Sequence, residues 1–240
     1  MKNLLTISTF ICTQVVMLLL TASTMQSQQR RTQTGGHIAV VVDERLSALR
    51  STPELAGNLV QRVRRGRLVT ILGSKKGADG VKFYRVRLTR RTRGWIQKEA
   101  VVSAMVPSDD QALLRLILAS EDFERIACAS IFLDTFPKSK LRPEVLSLLA
   151  EACEAVAAKL SHDAVRRLGP QLLLRPAPEY SYFLNYTGLD RYNRQGIKFV
   201  FDRASRQFYY DGTAWREIVR RYPESAAANE ARKRLKQLER

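Results

Sequence analysis

Cysteine and histidine are scarce in this chain, with 3 Cys and 2 His among 240 residues. Those numbers exclude most multi-ligand zinc sites and any small fold stapled by many disulfides. Glycine and proline are modest, at 12 and 8, with no collagen period or low-complexity tract. Acidic residues are the third shortage. Only 23 Asp and Glu face 40 Lys and Arg, a formal net charge of +17, which points to an acidic or polyanionic partner. The rest is globular in composition, 45% hydrophobic and 26% charged, so wholesale disorder is excluded.

Long apolar runs are also rare. The one stretch long enough to matter covers residues 4–20, behind the single charge of Lys2. Small residues Ala22, Ser23 and Thr24 then precede a polar Gln/Arg/Thr segment. This is the pattern of an export signal over residues 1–26, followed by a linker over 27–36. The alternative is an uncleaved anchor, since about 17–20 apolar residues can span a bilayer. Cys12 lacks the small preceding residue of a lipoprotein signal, so no lipidation is expected. The expected location is the periplasm or cell envelope.

Charge is uneven along the chain. Residues 30–104 carry 17 Lys and Arg against 5 Asp and Glu, whereas residues 105–240 carry 22 against 18. Composition shifts at the same place, from Val, Arg, Thr and Gly to Leu, Ala and Glu. The segment 103–110, with Pro107-Ser108-Asp109, marks the boundary.

Before that boundary, short apolar or alternating runs recur at 38–42, 46–50, 59–63, 68–72, 83–88 and 94–97. Turn residues such as Pro53, Gly66, Asp79-Gly80 and Gly94 separate them. Evenly spaced short strands with glycine punctuation predict a small barrel or sandwich. Arg85-Val86-Arg87-Leu88 alternates as a half-buried strand does.

Four landmarks here carry a resemblance. Leu46-Ser47-Ala48-Leu49-Arg50-Ser51-Thr52-Pro53 resembles the Leu-x-x-Arg-x-x-Pro opening of bacterial SH3-like domains. Val63-Arg64-Arg65-Gly66-Arg67-Leu68-Val69 is similar to their strand, glycine turn and strand. Phe83-Tyr84-Arg85-Val86 matches an aromatic-led strand in which Trp is more usual first. Arg93-Gly94-Trp95-Ile96 matches the closing Gly-Trp-Val/Ile. The resemblance implies an SH3-like β-barrel over 37–104 that binds peptidoglycan peptides or proteins and is not a catalyst. Trp95 is either core packing or the aromatic wall of a ligand groove with Tyr84 and Arg50. The cations Arg64, Arg65, Arg67, Arg85, Arg87 and Arg91 form a face for phosphate-rich or carboxylate-rich wall polymers, equally one for acidic lipid headgroups, or else a merely solvated basic surface. Nucleic acid is not an expected partner, because charge alone suggests it and no base-stacking motif supports it.

After the boundary the period becomes helical. Helices are expected from about 110 to 118, 123 to 135 and 143 to 160. Leu146, Leu149, Cys153, Val156 and Leu160 form one stripe, and Ala228, Ala231, Leu235 and Leu238 form another near the C-terminus. The phrase Phe136-Pro137-Lys138-Ser139 returns as Tyr222-Pro223-Glu224-Ser225, each between helices. It resembles the helix junction of tetratricopeptide-like repeats in bacterial envelope proteins, which implies a helical domain over 109–240 that docks a protein. An aromatic-rich insert at 168–212 interrupts it. Residues 199–201 and 207–210 suggest a hairpin there, with a helical continuation as the alternative. Its aromatics are either an interaction surface or core.

Cys128 and Cys153 lie at similar distances from the junction between two antiparallel helices, which permits a disulfide. Two buried free thiols are the alternative. His37 and His162 are expected to be solvated. No Gly-x-Ser-x-Gly elbow, phosphate-cradling loop, metal site or cofactor motif is present. The expected architecture is therefore α+β and multi-domain, with an SH3-like β-barrel ahead of a helical tetratricopeptide-like domain. The expected function is a non-enzymatic envelope adaptor, holding a cell-wall polymer or envelope protein on one part and a protein partner on the other. The alternatives are an accessory subunit recruiting a wall-modifying enzyme and a basic polyanion-binding protein. Membrane contact is expected only through the leader, if it is uncleaved.

Overall fold

A computed structural model describes residues 36–172 and 176–238. The expected leader, with Cys12, and all but the last residue of the expected linker lie outside the described residues. Among the described residues, no helix is long and apolar enough to cross a membrane.

The first part is a seven-stranded antiparallel sheet. Its strands are β1 (His37–Val41), β2 (Ala48–Arg50), β3 (Leu59–Arg62), β4 (Leu68–Lys76), β5 (Lys82–Arg87), β6 (Arg93–Gln97) and β7 (Val101–Val102). Their order is β3-β2-β6-β5-β4-β1-β7. Among the described residues β3 and β7 are the edges and do not pair with each other, so the sheet is not closed, and the expected barrel is corrected to an open sheet. β7 adds a strand at one edge, after a 3-10 turn at Lys98–Ala100, and β3 pairs only with β2 at the other.

The strand β1 explains how the two parts of the chain join. Its apolar residues are continuous, not alternating, as in strands buried on both faces. Ala39 and Val41 pack with Leu49, Val69, Ile71, Val86 and Ile96 inside the sheet. Val40 and Val42 belong instead to the helical core, with Ile117, Ile126, Phe132 and Leu146. β7 divides in the same way, Val101 inward and Val102 toward the helices. Polar ties flank this wall. The Ser103 amide donates to Asp109 Oδ2 at 2.9 Å, and Arg65 Nε donates to the Val42 carbonyl at 2.9 Å. Arg65 also forms an ion pair with Glu124.

The helical part begins with α1 (Asp109–Leu118), α2 (Asp122–Thr135) and α3 (Arg142–Leu172). The predicted stripe of α3 is buried along its length. This helix runs twelve residues past its expected end at 160, through the polar Ser161-His162-Asp163. Ser161 is buried there and loses nothing by it. Its hydroxyl donates to the Ala157 carbonyl at 2.7 Å and accepts the Phe208 amide at 2.7 Å. That amide belongs to the expected hairpin, now β8 (Phe199–Asp202) and β9 (Gln207–Tyr210). Short helices α4 (Glu179–Leu184) and α5 (Asp190–Asn193) precede it, and α6 (Thr213–Arg221) and α7 (Ala226–Leu238) follow.

The aromatic insert fills core. Phe183, Tyr186, Tyr192, Phe208 and Tyr210 are buried, and the rings of Phe183 and Phe201 stack at 4.5 Å. Trp215 is fully buried and its indole donates to Glu154 at 2.7 Å.

Candidate functional site

Strand register decides which predicted site residues meet. Arg50 on β2 pairs with Trp95 on β6, and Trp95 pairs with Arg85 on β5. Directly opposed residues of antiparallel strands point to one face. Arg50, Trp95 and Arg85 therefore share one row on the outer face of the sheet, with the half-buried Trp95 at its centre and an arginine on the strand to either side. Trp95 is in neither hydrophobic cluster.

Tyr84 is one residue out of step. It pairs with Ile96, packs against the inner core, and burial pushes its phenol up. The structure thus brings Arg50 and Trp95 together and places Tyr84 on the opposite face. Period-2 alternation from the buried Val86 would have given the same answer.

Two local features hold the row. Gly94 lets β6 approach β2, because a Cβ there would lie 2.7 Å from both the Arg50 carbonyl oxygen and Leu49 Cγ. The backbone of Gly94 is not left-handed, so closeness, not φ, requires the glycine. Arg50 Nη1 donates to the Gly57 carbonyl at 2.7 Å, fastening the loop between β2 and β3.

A second row lies beside the first. Arg93 pairs with Arg87, Arg87 with Thr70, and Thr70 with Ile38. Arg87 and Arg93 are exposed. Arg64 and Arg67 are exposed in the turn between β3 and β4, and Arg91 in the turn between β5 and β6. Arg65 is set apart from these cations. Its side chain is mostly covered where the sheet meets α2, so it ties the parts together.

Beyond Ile38, a cleft of about 860 Å³ runs between β1, the start of β4 and the end of α2, lined by Ile38, Val40, Leu68, Met105 and Ile131 among others. His37 also borders it, half-buried, and its Nε2 is buried without a hydrogen-bond partner. No sequence signal marked this cleft, because it draws on residues from five separate stretches of chain.

Cys128 and Cys153 are both buried free thiols. Burial pushes Cys128 up to about 11 and Cys153 higher still. Neither supplies a thiolate near neutral pH. Among the described residues, no three His, Cys, Asp or Glu side chains stand together as a metal site. His162 borders a separate cleft with Ser161, Arg166 and Arg206. Comparison of the chain with protein-family models, with curated proteins and with solved structures gave no match in any of the three.

Proposed function

We propose that this protein is a non-enzymatic adaptor of the cell envelope. The outer face of the sheet holds an anionic envelope ligand, such as peptidoglycan carrying carboxylates, or an acidic protein. The helical part docks a protein partner. The single observation that carries this reading is the Arg50–Trp95–Arg85 row. A tryptophan with an arginine on each neighbouring strand offers a flat apolar surface for a sugar or peptide backbone and planar donors for its carboxylates. The surplus of Lys and Arg over residues 30–104 adds long-range attraction. The SH3-like and tetratricopeptide-like resemblances belong to this reading, as do export and the periplasmic location. A binding role also fits the two thiols, whose burial disfavours the nucleophilic form.

The test is retention of the purified protein on isolated cell wall across a salt series. The expected result is retention that survives about 0.3 M salt, where exposed charge attraction is strongly screened. Trp95→Ala should abolish it with the fold intact by circular dichroism. Release by moderate salt alone, or full retention of Trp95→Ala, would overturn the proposal.

A further inference from the structure

Ile38, Leu68 and Met105 are the three most exposed large hydrophobic residues of the described chain, at 65%, 60% and 75%. They come from β1, β4 and the connection after β7, yet all three line one cleft. Their convergence is built in. Ser103 Oγ donates to the Ile38 carbonyl at 2.6 Å, which holds the connection bearing Met105 against β1. Leu68 and Thr70 share a strand and a face, and Thr70 pairs with Ile38. Scattered exposed apolar residues are ordinary, but a cluster of the most exposed ones marks an interaction surface.

The neighbours of this patch say what covers it. The cross-strand row continues from Ile38 through Thr70 to Arg87 and Arg93. Three strand spacings of about 4.8 Å set the apolar and cationic ends about 14 Å apart. Arg67 precedes Leu68 directly and is also exposed. An apolar patch edged by exposed arginines complements a bilayer interface, where acyl chains lie beneath anionic headgroups. Gly36 lines the same cleft, so the chain that follows the apolar run at 4–20 enters the described residues at this patch. We infer that this face docks on an anionic phospholipid bilayer, with Ile38, Leu68 and Met105 entering the interface and Arg67, Arg87 and Arg93 meeting the headgroups. This patch adjoins the Arg50–Trp95–Arg85 row on the same face of the sheet but uses other residues, and the inference does not rest on that row.

The experiment places an environment-sensitive fluorophore at Met105→Cys in the full chain, in a Cys12→Ser background. Cys128 and Cys153 are buried and stay unlabelled. Vesicles of phosphatidylcholine with about one-third phosphatidylglycerol should shift the emission to the blue. Pure phosphatidylcholine should give little shift. Ile38→Ser with Leu68→Ser should weaken the response about tenfold or more. The inference is overturned by no shift on anionic vesicles, by an equal shift on zwitterionic ones, or by a response the double variant retains. A blue shift without vesicles that grows with protein concentration would assign the face to a second copy of the chain and overturn it equally.

Discussion

Arg142 Nε donates to the hydroxyl of Tyr222 at 3.0 Å, across 80 positions of sequence. The contact joins the two aromatic-Pro-x-Ser junctions. Tyr222 belongs to the second, and Arg142 begins the helix after the first. The same guanidinium reaches the Leu133 carbonyl at 2.6 Å and Glu217 at 3.6 Å. Arg142 is buried, so its charge depends on these partners. We expect Arg142→Ala to cost about 3 kcal/mol and Tyr222→Phe about 1 kcal/mol. Urea unfolding of both and of the double variant should show coupling. Additive losses would contradict the link.

The sheet and the helices share the wall of β1, with Val41 in one core and Val42 in the other. One cooperative transition is therefore expected, seen alike by sheet-sensitive and helix-sensitive probes. Val41→Ala and Val42→Ala should each cost about 2 kcal/mol and lower both probes together. Two separated transitions would show independent units.

Gly94→Ala should destabilise the sheet by about 2 kcal/mol. Its Cβ would meet backbone, the Arg50 carbonyl oxygen, which cannot move aside as a side chain can. Thermal melting checks this, and an unchanged midpoint would contradict the close approach.

Burial holds the Asp109 carboxyl above its ordinary value of 3.8, although the Ser103 amide bonds to it. The folded state therefore favours the protonated acid. The stability it contributes is full below that value and is lost as pH rises through the folded one. Asp109→Asn keeps an oxygen for Ser103 and removes the charge. Its melting point relative to the parent protein should rise between pH 3 and pH 7. A constant or falling difference would contradict the sign.

Much of the fold was legible because local rules and tertiary structure agree. Glycine-bounded runs became β1 to β6, and the 3-4 stripe from Leu146 to Leu160 became the buried face of α3. The two proline junctions fall between helices, and the stretch from Phe199 to Tyr210 is a hairpin. The extension of α3 was not legible, since Ser161 is neutralised by an amide 47 positions away. Sheet closure was not legible either, because it depends on whether the edge strands β3 and β7, well separated in sequence, pair with each other. At the candidate site, residue types pointed to Arg50, Tyr84 and Trp95, but only register separates Tyr84 from the other two. Arg65 read as surface charge because its partner Glu124 lies in another element.

The most direct test of the ligand row uses its own indole. The chain has two Trp, and Trp215 is buried under Glu154 contact. In a Trp215→Phe variant all indole emission comes from Trp95. Titration with solubilised cell-wall fragments at about 0.3 M salt should give a saturable shift in that emission, lost when Arg85→Ala is added. An emission that stays constant across the titration would contradict the placement of the ligand on Arg50, Trp95 and Arg85.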